Sequence, residues 1–134
     1  MKIEDVEGIG PAFAKQLISA GVATTESLLD RGGSDAGRSR LAADTGISER
    51  LLLEWVNHAD LMRLDGVGSE YADLLEAAGV DSCAELARRN AANLAQTFQE
   101  LDAARPNVVR RVPSQAQIEQ WIAAAKSIAG AVRH

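Results

Sequence analysis

Cysteine is almost absent: Cys83 is the only one in 134 residues. No internal disulfide can form, so neither a disulfide framework nor a redox compartment is implied. Aromatic residues make up only 4% of the chain. Strands prefer aromatic and β-branched side chains, so this scarcity argues for helices. No alternation of apolar and polar residues marks a strand. No apolar run reaches the roughly 18 residues that a membrane-crossing helix needs. The opening segment, MKIEDVEGIG, lacks the apolar stretch of a secretory signal. A soluble cytoplasmic protein without membrane contact is therefore expected. Basic charge is also in short supply: 14 Lys and Arg stand against 19 Asp and Glu, a formal net charge of −5. The two halves share the deficit, −3 over residues 1–63 and −2 over 64–134. Phosphate backbones attract basic surfaces, so only a local patch is left to bind nucleic acid. No Walker loop, nucleophile–base pair or metal-ligand set is legible. The expectation is a non-catalytic protein with no cofactor and no metal.

What the chain does have is alanine, leucine and internal similarity. Hydrophobic residues are 46% of the total, enough for a packed core of helices. The segment VEGIGPAFAKQLISAGV, Val6 to Val22, is echoed by LDGVGSEYADLLEAAGV, Leu64 to Val80, at a constant offset of 58. Gly8, Gly10, Ala14, Leu17 and Gly21 match Gly66, Gly68, Ala72, Leu75 and Gly79. Further on, SERLLLEW ending at Trp55 resembles SQAQIEQW ending at Trp121, an offset of 66. The second half has thus gained eight residues, placed near 103–113. Such self-similarity is the mark of a repeat architecture.

Punctuation residues give a helix map. Pro11 suits a first helical position. Gly21 and Gly79 suit left-handed helix ends. Second helices follow Thr24 and Asp81, with Ser82 and Glu85 as a capping box. Third helices are predicted over roughly 36–45 and 91–102, the latter capped by Asn90. Fourth helices begin at Ser48 and Ser114, where Ser114 and Gln117 form a box. Trp55 and Trp121 fall at matching places beside Leu51, Leu52, Ile118 and Ile122, as core anchors would; the alternative is an exposed anchor for a partner protein. Cys83 reads as a small, half-buried core residue.

Gly8-Ile9-Gly10 and Gly66-Val67-Gly68 each lead directly into a helix. Glycine permits a tight backbone path, and the central Ile9 or Val67 can lock the turn to the core. The following helix then presents unpaired N–H groups at the positive end of its dipole, a natural seat for phosphate or carboxylate. No strand precedes these glycines, which argues against a dinucleotide fold. In these residues the chain resembles the helix-hairpin-helix superfamily, whose motif is hydrophobic-x-Gly-hydrophobic-Gly-x-x-x-Ala-x-x-Leu. The resemblance implies sequence-independent contact with the DNA backbone through the glycine turn. Asp44 to Ser48 (DTGIS) looks like a degenerate second hairpin, and the first half resembles the small N-terminal domain of strand-exchange recombinases. Over nearly its full length the chain also resembles a bacterial family known only as a domain of unknown function. The residues carrying that likeness are both glycine motifs, the Thr-Gly-Ile-Ser segment, Ala59 to Arg63, and Arg110 to Ser114.

The fold expected is all-α, with two tandem helix-hairpin-helix-like repeats of about four helices each. Residues 1–63 form the first and 64–134 the second, the latter with a longer loop near 103–113. The candidate phosphate site is Gly8, Ile9, Gly10, Ala12 and Lys15. Gly66, Val67 and Gly68 form the second hairpin turn, and Arg105, Arg110 and Arg111 a basic loop. DNA-binding hairpins often carry Lys or Arg where Ala12 and Glu70 stand. Lys15 adds a cation one turn on, where the second half has Asp73, so the second turn faces a phosphate with carboxylates. In the second half, Val112-Pro113 also replaces Gly46-Ile47. The pairs Arg38 with Arg40 and Arg88 with Arg89 read as solvated surface, as ion pairs, or as phosphate-positioning groups. The function expected is weak, non-specific DNA-backbone binding through the first repeat. The alternative is an acidic protein–protein adaptor that binds no nucleic acid; self-association is a third reading.

Overall fold

A computed structural model describes residues 1–6, 8–105 and 111–128. The described residues form eight α-helices and no strand, as the composition implied. No helix among them is long and apolar enough to cross a membrane. The described residues divide into two compact units, within 1–60 and 61–128.

In the first unit a short 3-10 turn, Ile3–Asp5, precedes α1 (Pro11–Ser19), α2 (Thr25–Gly32), α3 (Asp35–Thr45) and α4 (Glu49–Leu61). The N-terminal segment is held by Ile3 N–H donating to the Ala23 carbonyl at 3.0 Å. A lone antiparallel bridge joins Lys2 to Thr24. Pro11 opens α1, where its missing N–H costs nothing. The helix ends in a Schellman arrangement: Val22 N–H reaches the Leu17 carbonyl (2.8 Å) and Gly21 N–H that of Ile18 (3.0 Å). Gly21 sits at φ +90°, a conformation that disfavours any side chain. Thr24 and Ser27 make a full reciprocal capping box at the start of α2, each backbone N–H bonding the other's hydroxyl at 3.1 Å. Sequence inspection missed this box because Ser27 replaces the usual Glu or Gln.

Between α2 and α3 the chain is tied by Arg38, which is buried rather than solvated. Its guanidinium donates to the Gly32 and Gly33 carbonyls (2.9 and 3.1 Å) and pairs with Asp35. A Cβ on Gly37 would stand 2.2 Å from the Arg31 carbonyl, so only glycine fits there. Ile3, Leu17, Val22, Leu28, Leu41, Leu52 and Val56 are fully buried. Each contributes on the order of 2 kcal/mol by leaving water.

The second unit contains α5 (Ser69–Ala77), α6 (Cys83–Leu86), α7 (Ala91–Ala104) and α8 (Gln115–Ser127). Its α5 closes in the same manner as α1, with Val80 N–H on the Leu75 carbonyl (2.8 Å) and Gly79 at φ +89°. Ser82, Asn90 and Ser114 each cap a helix by accepting from the third residue on. Around Phe98, which is fully buried, pack Leu64, Leu75, Val80, Leu86, Leu94, Ile118 and Trp121. Cys83 is wholly buried in this core, not half-buried. Helix α7 extends to Ala104, two residues beyond the expectation, so Ala103 and Ala104 are helical and not loop.

Candidate functional site

The glycine turn of the first unit is shaped from below by a tryptophan. Ile9 N–H donates to the Val6 carbonyl at 3.2 Å, folding the segment back, and Gly8 takes φ +87° at the bend. Val6 and Ile9 point into the core and are nearly inaccessible, so Ile9 anchors the turn and only its backbone is at the surface. Trp55, on α4, is 4% exposed and brings its indole nitrogen to 3.8 Å from where a Cβ of Gly8 would stand. Phe13 on α1 stacks against the same ring, centroids 5.1 Å apart and planes tilted by 59°. Turn, α1 and α4 are thereby fixed through one aromatic pair.

Gly10 then takes the N-cap position of α1 in extended conformation, with no side-chain hydrogen bond to cap the helix. Pro11 has no N–H, so Ala12 and Phe13 hold the N–H groups that the helix itself leaves unbonded. Gly8, Pro11, Ala12 and Lys15 are exposed around this end, and Gly10 is half-exposed. Beside it lies an open depression of about 350 Å³ lined by Glu4, Ile9, Pro11, Ala14, Lys15, Ile18 and Ser19. One cation and one carboxylate share its wall, so the local charge is balanced and not strongly positive.

A family model described as Domain of unknown function (DUF4332) matches residues 7–128. The chain belongs to that family. Comparison with curated proteins and with solved structures gave no significant match.

The second turn of this DUF4332 chain has the same backbone and different chemistry. Val67 N–H donates to the Leu64 carbonyl at 3.1 Å, Gly66 lies at φ +84°, and Gly68 caps α5 without a side-chain bond. Val67 is buried, and Trp121 sets its indole nitrogen 3.4 Å from the Cβ position of Gly66. Tyr71 stacks on Trp121 at 5.2 Å and donates its hydroxyl to the Arg111 carbonyl at 2.8 Å. Asp65 and Glu70 are exposed there; Asp65 matches the acidic Glu7 of the first turn, so the difference lies in Glu70 and Asp73, which stand in the places of Ala12 and Lys15. The DTGIS segment supplies a further left-handed glycine, Gly46 at φ +77°, which ends α3. Its Thr45 hydroxyl donates to the Leu41 carbonyl (2.7 Å) and accepts from Ile47 N–H (3.2 Å).

The arginine clusters separate by role. Arg38 is locked at the α2–α3 joint, while Arg40 and Arg88 are exposed. Arg89 donates to the Gly79 carbonyl (3.0 Å) and pairs with Glu85 (3.1 Å). Arg105 and Arg111 are exposed, and Arg110 lies outside the described residues. Arg31 escaped the sequence reading, yet it donates to the Ala20 carbonyl at 2.8 Å, one residue before the turn glycine. The signal was available: Arg31 and Arg89, like Phe13 and Tyr71, are 58 residues apart.

Proposed function

We propose that this chain is a non-catalytic binding module of two tandem helix-hairpin-helix-like repeats, about four helices each, which contacts the DNA backbone without sequence preference through its first glycine turn. Recurrence supports the repeat reading. Helix α5 begins and ends 58 residues after α1 (11 to 69, 19 to 77), and α8 lies 66 residues after α4 (49 to 115, 61 to 127). Each half seats a left-handed glycine on a tryptophan and stacks that tryptophan on an aromatic residue of the following helix.

One observation carries the binding reading: the uncapped, exposed start of α1, with Lys15 one turn along. Two free N–H groups at the positive end of a helix favour an anion, and a phosphodiester is the anion that a sequence-independent binder meets. The first turn is preferred over the second because Lys15 stands where the second half has a carboxylate, Asp73. With so few cations the affinity is modest, in the range of about 10⁻⁴ to 10⁻⁶ M typical of non-specific contact. Titration of a labelled duplex, followed by fluorescence anisotropy at several salt concentrations, tests this. The expected log–log slope is about −1 to −2, for one or two phosphates neutralised. Binding that ignores salt, or none at low salt, refutes it.

A second reading has its own observation. Asp65 and Glu70 are exposed at the second turn, a rim fit for a basic partner. In that reading the chain is an acidic protein–protein adaptor. Its signature is salt-sensitive binding of a lysine-rich peptide that Glu70→Lys abolishes, with no duplex binding.

A further inference from the structure

Trp55 and Trp121 are buried side chains with a polar atom left over. They are 4% and 3% exposed, yet neither indole N–H has an acceptor among the described residues, and neither nitrogen is sealed from solvent. A buried indole ordinarily finds a partner for its N–H. In the second unit every residue of the turn is described, and the N–H is unpaired there too. Both nitrogens face the same feature, the bare Cα of the left-handed glycine. Chain neighbours aside, the indole nitrogen is the only described atom within 4 Å of the point where a Cβ on Gly8 would stand. The same is true of Trp121 and Gly66. Glycine at this position therefore does more than permit the bend: it leaves open a space whose floor is a hydrogen-bond donor.

We infer that the indole N–H of Trp55 is a further donor to the bound phosphate, reaching a phosphodiester oxygen that enters the space above Gly8. The inference rests on the DNA-backbone reading given above and adds a side chain to it. No other described atom lies within 4 Å of the Cβ position, so an oxygen resting in van der Waals contact with the Gly8 Cα, to the side of that position, can approach Nε1 to hydrogen-bond range. It would be held between the indole and the free N–H groups at the start of α1. Such a donor is fixed beforehand by the core packing of the ring and by Phe13, so binding costs no further ordering of it. At the second turn the equivalent donor faces an opening edged by Glu70, which repels an anion where the first turn has the neutral Ala12.

The test uses the full chain, uniformly labelled with ¹⁵N, titrated with a short duplex at low salt. The two indole N–H signals are assigned from a Trp121→Phe sample. The Trp55 indole proton is expected to move downfield and to saturate together with the amides of Ala12 and Phe13, while the Trp121 indole stays in place. If those amides move and the Trp55 indole does not, the indole is overturned as a donor and the helix-end reading survives. If none of them moves, both fall. Trp55→Phe keeps a ring for Phe13 to stack on and removes the N–H. Where the variant retains a folded spectrum, duplex affinity should fall about tenfold; unchanged affinity overturns the inference.

Discussion

Replacing Gly66 by alanine should cost about 1 kcal/mol of stability, whereas the same change two residues on, at Gly68, should cost close to nothing. Gly66 lies at φ +84°. Holding an L-residue in the left-handed region costs about 1–2 kcal/mol. The stiffer unfolded chain of the alanine variant returns about 0.4–1 kcal/mol. The new methyl would meet Trp121 Nε1 at 3.4 Å, an ordinary contact that adds little. Gly68, by contrast, is extended at φ −93° and ψ −169°, and a Cβ there has open space around it. Alanine is a poorer N-cap than glycine by about 0.5–1 kcal/mol, and the loss of unfolded-state freedom offsets this. Thermal unfolding followed by circular dichroism resolves the contrast, since about 1 kcal/mol moves the midpoint of a chain this size by about 3–5 °C. Equal losses for the two variants, or a larger loss at Gly68, would refute the assignment of strain to the first glycine of the turn.

Other perturbations probe the packing. Arg38→Ala strands the Gly32 and Gly33 carbonyls, so a loss of about 2–4 kcal/mol is expected in urea unfolding, against about 0.5 kcal/mol or less for Arg40→Ala. A small loss for Arg38→Ala would show that the joint does not depend on the guanidinium. Phe98→Ala empties the centre of the second unit and should cost about 3–5 kcal/mol by the same measurement. Thr24→Ala breaks the reciprocal box before α2; a drop of about 1 kcal/mol is expected, and no change in midpoint would argue that the box is incidental.

Features that act over a few residues were legible in the sequence. Asn90 and Ser114 start helices where capping rules put them, and Gly21 and Gly79 end helices because a left-handed residue is cheapest as glycine. Long-range features were not. Arg38 reads as surface in any local window, and only the return of α3 against the end of α2 gives its guanidinium two carbonyls to bond. Arg31 and Arg89 cap from a distance, and their shared offset carried the only hint. At the candidate site, the inward direction of Ile9 and Val67 followed from their flanking glycines. The seat beneath each turn did not: Trp55 and Trp121 looked like core anchors, which they are, but nothing in the spacing said that their nitrogens would face Gly8 and Gly66.

The central claim, that the first glycine turn and not the acidic second one meets a phosphate, is tested most directly by reversing one charge. Lys15→Glu lies on the exposed face of α1 and should leave the melting temperature within a degree or two. Duplex binding measured at low salt by anisotropy should nevertheless disappear. Retention of wild-type affinity in that variant would contradict the account.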